Sequence, residues 1–306
     1  MLLGVSLPHH GPLSSPEAVR ESALAAEALG FDALGVADHL AMPHSVSSKY
    51  TLSPEPTAIP DGNLSHTLTP LYDCLTTLAF VAALTRRVRL VTGVLVLPLR
   101  NPIYNARQIA TIDAYSGGRV DLGIGVGWLK EEAEAMQMPW DERGARTDEH
   151  IAVLRALWEG KEPYVGYAGR FYRFEPIDPA PFPAQARLPI LIGGHSPVAL
   201  QRVVRAGDGW ISTQLPVETQ RESMEEIRKL AVTAGRDPEG LLWHGGVAAK
   251  FENGEVKSPQ ALLDAIAGYR DLGVHSLMVA AKSRSLADRV KLTEWLAKEA
   301  LPIAHG

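Results

Sequence analysis

Strand-like and helix-like patterns alternate eight times along this 306-residue chain, and that alternation limits the fold more than any other feature. Short runs rich in branched apolar residues read as strands over 3–7, 33–37, 88–97, 119–126, 189–192, 209–212, 242–248 and 276–279. Helical stretches fall between them near 16–29, 70–85, 103–115, 145–159, 197–206, 217–234, 259–272 and 285–300. Apolar strands separated by helices argue for a parallel sheet covered by helices. Eight such units predict one α/β domain over residues 1–306, a closed (β/α)8 TIM-like barrel; a doubly wound open sheet is the competing arrangement. The length agrees, because an α/β barrel uses roughly 250 residues as one unit.

The helix boundaries carry their own signals. Ser15-Pro16, Ser196-Pro197 and Ser258-Pro259 each put a capping hydroxyl before a proline at the first helical position. Gly30, Gly207 and Gly273 stand where those helices should stop. Two connections exceed what a barrel needs. Residues 40–69 contain Pro43, Pro54, Pro56, Pro60, Gly62 and Asn63, and residues 160–188 contain Pro163, Pro176, Pro179, Pro181 and Pro183. Long aperiodic loops commonly serve as lids or binding loops. Both segments are therefore expected as insertions at the catalytic mouth, shaping the substrate pocket.

Composition narrows the function classes. A net charge of -5 gives no nucleic-acid footprint, and the Arg86, Arg87, Arg89 cluster reads as a solvated end. One cysteine, Cys74, permits no internal disulfide and fits a reduced, cytoplasmic setting. The opening MLLGVSLP reads as a strand rather than a signal peptide, and no apolar run is long enough to span a bilayer. The expected partner is a small-molecule substrate, with neither nucleic acid nor membrane.

The stretch SGGRVDLGIGVGW (116–128) bears most directly on function. Gly117 and Gly118 read as a helix stop, and a buried strand follows with Gly123, Gly125 and Gly127 at alternate positions. Residues two apart share a face, so one face loses its side chains where the strand ends. Such a face leaves room for something flat and large; the alternative is a strand bared for packing or for a bulge.

Barrel enzymes place their sites at the C-terminal strand ends. The second candidate strand ends in Asp38-His39, the third in Leu97-Pro98-Leu99-Arg100-Asn101-Pro102, the fourth in Gly125-Val126-Gly127-Trp128 and the fifth in Gly193-Gly194-His195-Ser196. Asp38 can accept a hydrogen bond from a heterocyclic N–H, and His39 can stabilise developing charge or move a proton near neutral pH. The structural alternatives are a loop-capping Asp and a solvent-facing His. Gly193-Gly194 before a helix start reads as a phosphate cradle or as a tight turn. Trp128 and Trp210 either stack on a ring or fill the rim and core. His9-His10 could line the same mouth. Neither HExxH nor CxxC is present, so no metal is expected, and GxSxG and the P-loop lysine are also missing.

These segments resemble the luciferase-like monooxygenase superfamily, and within it the oxidoreductases that use the deazaflavin coenzyme F-420. The resemblance runs over essentially the whole chain, through LGFDALGVADH (29–39), TGVLVLPLRNP (92–102), SGGRVDLGIGVGW (116–128), RTDEHIAVLRALW (146–158), IGGHSP (192–197) and GDGWI (207–211). It implies a barrel oxidoreductase that transfers a hydride between F-420 and a small organic substrate. It also implies that Asp38 and His39 lie against the deazaflavin ring, that a cis peptide at Gly93-Val94 supports the ring's other face, and that Gly193-Gly194 meets the phosphate. Gly125, Gly127 and Trp128 complete the expected cofactor-binding set. One departure stands out. Where the sugar-phosphate dehydrogenase of the family has a catalytic glutamate, this chain has Trp128, which leaves the general acid open between Glu131 and His10. Two alternatives share most of the motifs: an FMN-dependent monooxygenase that uses oxygen, and a non-catalytic flavin- or deazaflavin-binding protein. Relatives are commonly homodimers, which carries over by analogy alone.

Overall fold

A closed ring of parallel strands organises the chain. The computed structural model describes residues 1–49, 68–160 and 162–306. β1 (Leu2–Ser6) is followed by α1 (Pro16–Leu29), β2 (Ala33–Val36), α2 (Cys74–Leu84), β3 (Arg89–Val96), α3 (Pro102–Ser116) and β4 (Val120–Gly125). Then come α4 (Lys130–Ala135), α5 (Arg143–Glu159), the antiparallel pair β5 (Val165–Ala168) and β6 (Arg173–Ile177), β7 (Ile190–Gly193), α6 (Pro197–Ala206), β8 (Gly209–Gln214) and α7 (Val217–Thr233). The chain finishes with β9 (Leu242–Glu252), β10 (Glu255–Val256), α8 (Pro259–Asp271), β11 (Ser276–Lys282), α9 (Leu286–Trp295) and α10 (Leu301–His305). The ring runs β1-β2-β3-β4-β7-β8-β9-β11 and returns to β1, every pairing parallel. The predicted closed (β/α)8 barrel is the observed fold, and the open sheet is excluded.

Local chemistry explains the joints. Ser15 and Ser196 accept hydrogen bonds from the amides of Ala18 and Ala199, as N-caps do. Ser258 does not: it takes the left-handed conformation, with φ 49°, and makes no side-chain cap. Gly30 and Gly117 end their helices in the left-handed conformation expected of them, whereas Gly207 is extended. Inside the ring, Ala33, Val91, Leu191 and Ile211 pack together, with Met278 beside them. A Cβ on Gly4 would stand 2.7 Å from Met278 Cε and one on Gly35 would stand 2.9 Å from its Sδ, so these two glycines exist to seat that thioether. The larger core lies outside the ring, where the helices cover the strands.

The two long connections differ from expectation. Segment 160–188 is not structureless. It holds the β5–β6 hairpin, whose turn amides at Arg170, Phe171 and Tyr172 all donate to the Glu149 carboxylate of α5. Its last residues reach the barrel's N-terminal end, where Gln185 bonds Asp113 and the Val120 carbonyl, while the hairpin turn lies beside the start of α5, where Arg170 pairs with Glu142. The first connection does follow a strand. Most of it, including Pro54, Pro56, Pro60, Gly62 and Asn63, lies outside the described residues. No helix among the described residues is long and apolar enough to cross a membrane.

Candidate active site

The bare face of β4 is not empty. A Cβ on Gly123 would run into the Thr92 carbonyl, one on Gly125 would stand 2.7 Å from Val94 Cγ2, and one on Gly127 would stand 2.9 Å from Val96 Cγ1. The alternate glycines of β4 make room for β3, so the reading of that face as an open slot is corrected. The opening lies one strand away. Gly93 is exposed in the middle of a mostly buried strand, and a Cβ there would meet nothing within 4 Å. The Gly93-Val94 peptide is cis, and the β3–β4 register shifts between Thr92 and Leu95. Val94 also covers Gly193, where a Cβ would sit 3.0 Å from its Cγ1. One valine thus walls both β4 and β7.

Asp38 plays a different part from the one expected. Its side chain is fully buried and both oxygens are taken by the Arg100 guanidinium, at 2.5 and 2.8 Å, while Oδ2 also accepts from the Val96 amide at 2.8 Å. Burial disfavours the Arg100 charge, but Asp38, with Asp73 further off, outweighs it and raises the guanidinium pKa above its usual value. The carboxylate ties the end of β2 to the end of β3 and is not offered to a ligand.

His39, next in the chain, is offered. Its ring is partly exposed, and Nδ1 lies 2.8 Å from Glu132 Oε2. The other carboxylate oxygen, Oε1, accepts from the amides of Leu40 at 2.5 Å and Ala41 at 3.2 Å. Trp128 meets the His39 ring edge-on, with centroids 6.0 Å apart and planes at 88°. Its neighbour Glu131, open as a general acid in the sequence, binds the amides and hydroxyls of Ser47 and Ser48. Burial is the largest single influence and opposes its charge, but the hydrogen bonds together prevail and lower its pKa to about 2, so it carries no proton to give near neutral pH.

His9 and His10 continue the rim from β1. Both ring nitrogens of His9 face carbonyls, Leu7 at 3.2 Å and Ala37 at 2.9 Å, while His10 packs edge-on against it at 4.7 Å. His10 Nδ1 is buried and has no hydrogen-bond partner among the described residues. Burial, then the neighbouring His9, His39 and Arg289, lower the His10 pKa to about 4. Neutral at physiological pH, it is also a poor proton donor. Arg289 is itself buried, donating to the carbonyls of Ala281 and Ser6 at the ends of β11 and β1.

Across the mouth, Gly194 has φ +109°, and Ser196 caps the ten-residue α6 that begins beside it. This left-handed glycine lets the backbone turn directly into a helix N-terminus, an arrangement suited to an anion. His195 Nε2 lies 3.0 Å from Thr213 Oγ1, and its Nδ1 has no partner among the described residues. Trp210 is fully buried and donates to the Gly194 carbonyl at 2.9 Å. It supports the glycine pair from below and cannot stack on a ligand.

Glu132, Arg100 and Arg289 were not assigned from sequence. Arg100 lay within a strand end already marked out. Glu132 had one signal, its place in the first turn of the helix after the glycine-rich strand. Arg289 had none, since it reaches the mouth from the far end of the chain.

Residues 1–243 match the family model of the luciferase-like monooxygenases. An uncharacterised protein of Mycobacterium tuberculosis is 34% identical over 215 residues, covering 70% of this chain and 71% of its own. The FMNH2-dependent dimethylsulfone monooxygenase of Pseudomonas putida is 32% identical over 157 residues, half of this chain and 42% of its own length. Among solved structures, an F-420-dependent secondary alcohol dehydrogenase in complex with an F-420-acetone adduct superposes with a TM-score of 0.77, covering 99% of this chain and 98% of that one at 15% identity. A matched family model over most of the chain, a relative at 34% identity and a closed barrel with its polar groups gathered at the strand ends agree: this chain belongs to the luciferase-like monooxygenase family.

Proposed function

We propose that this barrel is an oxidoreductase that moves a hydride between the deazaflavin coenzyme F-420 and a small organic substrate at its C-terminal mouth. The observations that carry the reading are the gap at Gly93 and, at the end of the neighbouring strand, a partly exposed His39 whose Nδ1 is already committed to Glu132. A flat ring system fits the gap, because the chain places backbone there and no side chain. The unpartnered Nδ1 atoms of His10 and His195 mark further polar positions suited to such a ligand. The coenzyme supplies the hydride chemistry when bound, and the chain supplies position and charge.

In this reading Gly93 and Val94 back the ring and Trp128 borders it. Gly193 and Gly194, at the start of α6, meet a phosphate. Gly125 and Gly127 act through the room they give Val94 and Val96. His39 holds or moves a proton at Nε2. Asp38 keeps the ends of β2 and β3 together. The substrate is a small molecule, and a homodimer remains the assembly that analogy suggests.

Similarity to an FMNH2-dependent monooxygenase over half the chain supports a second reading, an FMN enzyme that consumes oxygen. Anaerobic turnover tests both. Reduced F-420 is mixed with a panel of small ketones, aldehydes and enones, and coenzyme oxidation is followed by absorbance. Oxygen-independent oxidation with at least one substrate is expected. Turnover confined to reduced FMN with oxygen would replace this reading with the second.

A further inference from the structure

We propose that Glu132 is a positioning residue that holds His39 in a single tautomer, with the proton on Nδ1 and the lone pair of Nε2 presented to the mouth. The inference rests on the reading of His39 as the proton-handling group and goes further by fixing which nitrogen faces the reaction and why. A carboxylate oxygen accepts and cannot donate, so the 2.8 Å contact from Glu132 Oε2 requires a proton on Nδ1. In the neutral ring Nε2 is then the acceptor. Nε2 makes no hydrogen bond to the described residues and is not among the buried unpartnered atoms, so it is the accessible nitrogen.

The carboxylate cannot swing away. Oε1 is held by the amides of Leu40 and Ala41, the two residues that follow His39, and the Glu132 side chain is 2% exposed. Glu131 grips the same loop seven residues further on, through Ser47 and Ser48. Two adjacent carboxylates on α4 thus staple the loop leaving β2, and one of them also orients the ring. The edge-on contact with Trp128 fixes the other side of the imidazole. When His39 takes up a proton, the resulting imidazolium already has its counter-charge at Nδ1.

Glu132→Gln separates orientation from scaffolding. The amide oxygen would remain with the Leu40 and Ala41 N–H groups, which need an acceptor. Its NH2 would then face His39 Nδ1 and demand a lone pair there, moving the imidazole proton to Nε2. The variant therefore inverts the group offered to the mouth, from acceptor to donor, while keeping the loop in place.

The test uses the ligand-free full chain. Nitrogen-15 spectra of the imidazoles, with His39 assigned by loss of its signals in His39→Ala, report the tautomer directly. The expected result is Nδ1–H in the natural protein and Nε2–H in Glu132→Gln. Nε2–H in the natural protein would overturn the proposal without any variant, and so would the same tautomer in both. Turnover of Glu132→Gln with oxidised F-420 and the alcohol form of an accepted substrate, the direction in which Nε2 takes up the substrate's proton, should fall about 10²–10⁴-fold, as when a base is held in its wrong tautomer. The KM for coenzyme should change less than twofold, and the variant's melting profile controls for folding. Full turnover in Glu132→Gln, when His39→Ala is inactive, would also overturn it. If instead His39→Ala keeps full turnover while the tautomers invert as expected, the positioning stands and the proton role given to His39 in the proposed function fails.

Discussion

The two ends of the barrel spend their polar groups differently. At the N-terminal end they hold the chain together. Arg119 donates to Ser116, Ala82, Thr85 and Val88 carbonyls and to the Thr85 hydroxyl, and Arg89 forms a bidentate pair with Asp121. Asp113 takes the Val120 and Gln185 amides and the Gln185 side chain. Among the described residues there, Arg155 Nε lacks a partner, and its other nitrogens are all engaged. At the C-terminal end, Asp38, Glu131 and Glu132 hold loops in the same way, but a second set is held in reserve. His39 Nε2 is accessible, His10 and His195 each keep a buried unpartnered Nδ1, and Gly93 faces open space. A buried polar group without a partner costs about 1–3 kcal/mol, so its concentration at one end is a sign of what that end is for.

The comparison is broken most readily at His39. His39→Ala should lower turnover about 10²–10⁴-fold in steady-state assays while the unfolding free energy moves by less than about 1 kcal/mol. Loss of stability without loss of turnover would place His39 with the scaffolding groups of the opposite end.

Arg119→Met is the converse. It strands several buried carbonyls, and urea unfolding should show a loss of about 3–4 kcal/mol. Coenzyme affinity of the folded fraction should be unchanged.

Two glycines sharpen the contrast within the mouth itself. Gly93→Ala puts a methyl into open space, so stability should hold while coenzyme affinity falls at least tenfold, about 1.4 kcal/mol. Gly125→Ala puts the methyl 2.7 Å from Val94 Cγ2 and should cost about 1–3 kcal/mol of stability through overpacking. Calorimetric titration and urea unfolding of both variants would show whether the two effects separate.

One further effect is shared by both ends. Burial is the main cause lowering both His10, at the mouth, and His244, at the base, to about 4. The unfolded chain titrates near 6.5 and so binds more protons than the native protein as the pH falls below that value. Each histidine's contribution is complete above pH 6.5 and is lost as the pH drops toward 4, at up to about 1.4 kcal/mol per pH unit. His10→Gln and His244→Gln should each flatten the acid side of a stability–pH curve by about that slope.

Sequence made the barrel readable because each strand and helix announces itself locally, through period, capping serine and stop glycine. It also singled out Asp38, His39 and Gly193-Gly194 as strand-end groups, and the family resemblance pointed to Gly93. What it could not resolve was how those groups divide between holding and offering. Asp38 and His39 are adjacent, yet one is sealed by Arg100, which lies 62 positions on, and the other is turned outward by Glu132, 93 positions on. The glycines in and just after β4 were visible, but their purpose depended on the backbone and side chains of β3 that only the folded register brings opposite them. The β5–β6 hairpin was hidden because Glu149, which accepts the amides of its turn, sits in an ordinary helical pattern.

The central claim is that the open end of the barrel is built for a deazaflavin. Titration of the ligand-free protein with F-420 and with FMN, followed by the fluorescence of each, tests it most directly. Tighter binding of F-420 than of FMN is the expected result. Preferential binding of FMN, or no saturable binding of either, would contradict the account.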